Sequence, residues 1–194
     1  LDPRQLLPTI RSRCQAIAVA SGVPEFPLAV ETGLREILVQ LRRNAGAATA
    51  LRTVVDLRRI FASLSERAQE RDAPNRKYSS DVLKDMETAT RKRLEDRQEA
   101  RTRSLYLAER QQLCAAMECW FEQRYLAACG IPPSRLTCAE LRPDRQDVEK
   151  IDRLEAEWDL LRAQDLVRFL NANVDEQLAL EAFCLDVCRV TDHS

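Results

Sequence analysis

Glycine is scarce in this chain of 194 residues, which holds only 4, while aromatic residues make up 5% and histidine occurs once, as His193 beside the last residue. So few glycines leave no Gly-x-x-x-x-Gly-Lys-Ser/Thr loop to cradle phosphates, and the chain itself is not expected to bind or hydrolyse ATP. The lone histidine stands beside the terminus, and neither a Ser-His arrangement nor paired carboxylates stand on a loop, so no enzyme class is indicated for the chain alone. No run approaches the ~20 apolar residues of a membrane span, and the N-terminus lacks the basic-then-apolar pattern of a secretory signal; the expectation is a cytoplasmic protein with no membrane partner. Charge of one sign is missing too. Lys+Arg 30 against Asp+Glu 31 gives -1, without the basic surplus expected of a chain that wraps nucleic acid. No repeat at a fixed period appears.

Seven cysteines stand at 14, 114, 119, 129, 138, 184 and 188. An odd count without a secretory pattern argues against a disulfide framework. Zinc is not indicated either, because no C-x-x-C pair exists, and the expected metal ligands are none. The cysteines read as buried small hydrophobes, reduced and metal-free.

What is present is 45% hydrophobic and 31% charged sequence, a balance that points to an all-α helical bundle of about five helices, one of them long and partly protruding. Ser21 to Pro27, with Gly22, Pro24 and Pro27, reads as a linker. Residues 1–26 and 27–194 are therefore the two expected parts. Pro27 opens a helix with Leu28, Leu34, Ile37, Leu38 and Leu41 on one stripe, ending near Asn44–Gly46. A second runs from about Ala47 to Gln69, with Leu51, Val54, Val55, Leu57, Phe61 and Leu64 apolar. From Ser79 or Ser80 the pattern stays helical to Cys129–Gly130. Its first half, Lys84 to Arg103, is charged in both signs, and Arg91-Lys92-Arg93 reads as a solvated face interrupted by Glu87, Glu95 and Asp96. Its second half is core-facing through Leu105, Leu107, Leu113, Met117, Trp120, Phe121, Tyr125 and Leu126. After a proline-rich loop, Asp144 or Asp147 caps a helix whose inner stripe is Val148, Ile151, Leu154, Trp158, Leu161, Val167 and Leu170. Asn173 caps a short closing helix.

Two stretches carry a resemblance. Leu7-Pro8-Thr9-Ile10-Arg11-Ser12-Arg13-Cys14 is similar to the Ser-Arg-Cys motif that closes the ATPase core in bacterial DNA polymerase III clamp loaders, in the delta-prime and gamma/tau subunits. Phe169 to Phe183, with its asparagine-rich turn and Leu178-Ala179-Leu180-Glu181, resembles the end of the delta-prime collar. The resemblance implies that residues 1–26 are the tail of an ATPase core, preceded by a domain of about 150 residues, and that 27–194 are a collar that joins a hetero-pentamer. It implies that Arg13, flanked by Ser12 and Cys14, is a catalytic arginine given in trans to a neighbour's site, where ATP and magnesium are held by the other subunits. A planar, forked guanidinium suits the charge of a transferring phosphoryl group better than lysine. By the same resemblance Leu178, Leu180 and Phe183 are candidate oligomer-interface residues, and the sliding clamp and primed DNA are met through the assembly. Whether delta-prime or gamma/tau is the better match stays open. So does a free-standing helical adaptor unrelated to replication. Lastly, the small helical lid that follows the motif in the family is expected to be shortened or absent, and a strand-like stub is expected over Gln15 to Val19.

Overall fold

The computed structural model describes residues 24–73, 88–144, 152–172 and 174–189. Ser12, Arg13, Cys14, the Gln15–Val19 stub, the Ser79–Ser80 cap, Val148, Ile151 and Asn173 lie outside these. The described residues are all-helical, without a strand: α1 (Pro27–Glu31), α2 (Leu34–Leu38), α3 (Gly46–Asp72), α4 (Thr88–Ala128), a 3-10 turn at Pro133–Arg135, α5 (Arg153–Asn171) and α6 (Glu176–Cys188).

The first expected helix is broken in two. Gly33 takes a left-handed φ of 66°, where a side chain would be strained, and Thr32 Oγ1 donates to Leu28 O at 2.8 Å. The stripe survives the break, because Leu28, Leu34, Leu38 and Leu41 are all buried. Asn44 (φ 61°) and Gly46 (φ 80°) then reset the chain for α3, as their types suggested.

Helices α3 to α6 form an up-down-up-down bundle in which each packs on its two neighbours. Side-chain pairs fix the antiparallel registers. At the far end of α3, Arg71 meets Glu109 of α4 at 2.6 Å, and Asp72 Oδ2 accepts from Thr102 at 3.1 Å. Between α4 and α5, Arg110 Nη2 donates to Leu170 O at 3.0 Å, while Arg124 pairs with Asp159 at 3.3 Å. Arg162 of α5 reaches Asp186 of α6 at 3.3 Å. The ring closes where Asn44 N–H donates to Arg189 O at 3.3 Å. Trp120, Phe121, Leu57, Leu64, Leu113 and Met117 fill the centre. The Phe121 and Phe183 rings meet edge-on, centroids 5.6 Å apart, a geometry worth about 0.5–1.5 kcal/mol beyond area burial.

Helix α4 outruns its partner. Asp72 ends α3 beside Arg101 and Thr102, so residues 88–100 continue beyond it for about 20 Å and stay exposed or half-exposed. This is the protruding charged half. There the Arg91 side chain is drawn to Glu95 at 2.9 Å, one turn along its own helix, as a solvated face requires.

Candidate assembly surface

The four-helix core leaves the C-terminal hairpin, α5 and α6, with an apolar exterior. On α5 the buried positions are Ala156, Asp159, Ala163, Leu166 and Leu170, which share one side at helical spacing. Leu154, Trp158, Leu161 and Phe169 fall on the other side and are between 47% and 65% exposed. The expectation that Leu154, Trp158 and Leu161 face inward is therefore overturned, while Leu170 holds its place and Val167 packs partly against the core. The reason lies in size. Ala156 and Ala163 let α5 lie close to α4, and the larger side chains are then turned out. Asp152 caps α5, accepting from Leu154 N–H at 3.0 Å; the expected Asp144 is not the cap of this helix, and the expected Asp147 lies outside the described residues.

On α6 the outer positions are Leu178, Ala182 and Leu185, one helical stripe. Asp175 caps this helix by accepting from Leu178 N–H at 2.9 Å, two residues beyond the expected Asn173. Arg162 and Asp186 bridge the seam between the two stripes, and the Arg162 guanidinium lies 5.8 Å from the Trp158 ring centroid. With Val174 in the connecting turn, seven large apolar side chains share this exterior. Exposed apolar side chains gathered on one exterior mark an interaction surface.

Of the three residues expected at an interface, Leu178 alone is presented outward, at 60% exposure. Leu180 and Phe183 are buried among α3, α4 and α5 neighbours and belong to this chain's own core. Arg13, Ser12 and Cys14 lie outside the described residues.

Behind the patch sits a buried ion pair. Arg124 Nη1 meets Asp159 Oδ2 at 3.3 Å and Leu41 O at 3.5 Å, with its guanidinium 5.4 Å from the Phe121 ring centroid. Burial pushes the Asp159 carboxyl up to about 6, outweighing the attraction of Arg124 and Arg43. At the other end of the hairpin Tyr106 donates to Glu176 at 3.0 Å. Burial, followed by the charge of Glu176, raises that phenol to about 12, so it remains a donor at any ordinary pH.

Among the described residues no group of three or more His, Cys, Asp or Glu could hold a metal ion, and no helix is long and apolar enough to cross a membrane. A hollow lined by Ala29, Val30, Arg35, Glu36, Glu140 and Leu141 has about 210 Å³, below the ~300–1,000 Å³ of small-molecule sites.

No protein-family model matches the chain, and neither a curated protein nor a solved structure matches it.

Missing from the sequence reading was the outward face of α5. A signal for it existed: two apolar stripes run along opposite sides of this helix, Leu154, Trp158, Leu161 and Phe169 against Ala156, Ala163, Leu166 and Leu170, and each needs cover.

Proposed function

We propose that this chain is part of a clamp-loader subunit of the bacterial replicative polymerase, in which the helical bundle joins the subunit to its neighbours and Arg13 is offered to an adjacent ATP site. The observation that carries the assembly role is the uncovered α5–α6 exterior, seven large apolar side chains on one helical hairpin. A stable protein interface buries about 800 Å² on each partner, and an exterior with seven exposed large apolar side chains supports a contact of that kind. The Leu7 to Cys14 and Phe169 to Phe183 stretches support the choice of family. Partners are then the other subunits of a hetero-pentamer, with the sliding clamp and primed DNA met through the assembly, and ATP and magnesium held by neighbours.

The test separates assembly from chemistry in the loader reconstituted with its other subunits. Trp158→Glu combined with Leu161→Glu should abolish the ring, read by native mass, while leaving the helical circular dichroism unchanged, since both residues are already half in water. Arg13→Ala should leave the ring mass intact and lower DNA-stimulated ATP turnover. Trans arginines contribute about a thousandfold or more at a single site, and the total falls by less because only one of several sites is touched. Parental turnover by Arg13→Ala would discard the arginine's role. Intact rings with the charged face would discard the surface, and failure of the parental chain to enter a ring with the other subunits would leave the free-standing adaptor.

A further inference from the structure

Two of the buried cysteines are in contact. Cys119 lies on the inner face of α4, and Cys138 follows the 3-10 turn in the loop between α4 and α5. Their sulfurs are 3.1 Å apart, and both residues are free thiols. Four groups form a directional relay: Gln123 Nε2 donates to Cys119 Sγ at 3.3 Å, Cys119 to Cys138, and Cys138 to Pro24 O at 3.2 Å. The Cys138 side of this relay is a loop rather than a helix. Among the described residues, the backbone–backbone hydrogen bonds of loop residues 132–144 are internal: Arg135 to Pro132, Leu136 to Pro133 and Arg142 to Ala139. It is held down by the side chains of Leu136, Cys138 and Leu141 and by Arg35, which donates to Arg142 O at 3.3 Å. A segment fastened by side chains alone opens more readily than the helices around it.

We propose that Cys119 and Cys138 are a redox pair, closing to an intramolecular disulfide when the protein meets a low-molecular-weight disulfide such as oxidised glutathione. With the loop lifted, the Cys138 thiolate attacks one sulfur of glutathione disulfide and one glutathione leaves as thiolate. The Cys119 thiolate then attacks the Cys138 sulfur of the mixed disulfide and expels the second glutathione. Two protein thiols lose two electrons and two protons, and glutathione disulfide takes them up as two thiols. With the loop down Cys119 is inert, because burial, reinforced by the neighbouring thiol, raises it to about 12 and leaves almost no thiolate, and Cys138 is closed off from solvent. Oxidation also removes the S–H that Cys138 gives to Pro24, so the redox state reaches the strand of chain that enters α1.

The experiment uses the full chain with Cys14→Ser and Cys129→Ser, the latter an exposed thiol that would cross-link between molecules. It is equilibrated in glutathione buffers of graded ratio, quenched in acid, unfolded, alkylated and mapped by mass. The expected product has lost two alkylatable thiols and yields one cross-linked peptide joining residues 119 and 138, with Cys184 and Cys188 still free. Half-oxidation should occur at a ratio of oxidised to squared reduced glutathione at least about tenfold lower in the folded chain than in urea. Adding Cys119→Ser should arrest the reaction at a glutathione adduct on Cys138. Persistent free thiols in the parent, an adduct as its end product, a bond to any other cysteine, or equal ratios with and without urea would each overturn the pairing.

Discussion

Arg124→Met should lower the unfolding free energy by about 3 to 5 kcal/mol at pH 8, because it strands the Asp159 carboxylate inside the bundle. The loss is read from urea midpoints followed by circular dichroism. Its pH dependence has a definite sign. Asp159 is held at about 6 against an ordinary 3.8, so the folded state binds that proton more tightly than the unfolded chain does. The group's contribution therefore falls as pH rises from about 4 to about 6, and its low plateau lies above. Without Arg124 the folded carboxyl climbs further, and protonation relieves the stranded charge at pH 5. The cost of Arg124→Met should accordingly be smaller at pH 5 than at pH 8. Replacing both partners, Arg124→Met with Asp159→Leu, should recover most of the loss. Should the single variant cost less than about 1 kcal/mol at pH 8, as exposed pairs do, the pair is not buried as described.

Leu180→Asp should unfold the chain at pH 7, whereas Leu178→Asp should leave stability within about 0.5 kcal/mol of the parent. The two leucines differ by two positions and by everything that matters to a charge. Leu180 has no exposure, and a carboxylate there finds no partner among Phe183, Cys184 and their neighbours. Leu178 is 60% exposed on the first turn of α6, where a negative charge is favourable to the helix dipole. Thermal melts of both variants distinguish them, and Leu180→Asp should regain helicity as the pH falls and its carboxyl protonates. Equal melts would mean that α6 is turned about its axis.

How far the sequence could be read depended on what each segment packs against. The boundaries of α3 and the end of α4 were legible, since Asn44, Gly46, Gly130 and the prolines after it act through the local backbone alone. The charged and core-facing halves of α4 were legible too, because Arg91 to Arg101 offer no apolar stripe and Leu113, Met117, Trp120 and Phe121 offer a clear one, although Leu107, expected to face the core, is exposed. Burial of the cysteines followed from residue type at five described positions, and Cys129 is exposed only because α4 ends there. Rotation of α5 could not be read. Its two sides are both apolar, and the choice between them is made by Ala156 and Ala163 fitting against α4, a fact about the partner helix. Similarly, Leu180 and Phe183 carry the same residue types an interface would use. Only the closure of α6 on α3 assigns them to the core.

That closure makes the order of helices in the bundle a cycle. Asn44 and Arg189, near opposite ends of the described chain, share a backbone hydrogen bond, and no helix among α3 to α6 is a terminal one in space. Which connection is left open is consequently a property of the covalent chain, not of the packing. A circularly permuted chain that joined residue 189 to residue 44 and began instead at Arg153 would keep α3 to α6 in the same cyclic order, but would give up the buried Leu28, Leu34, Leu38 and Leu41 that precede the junction.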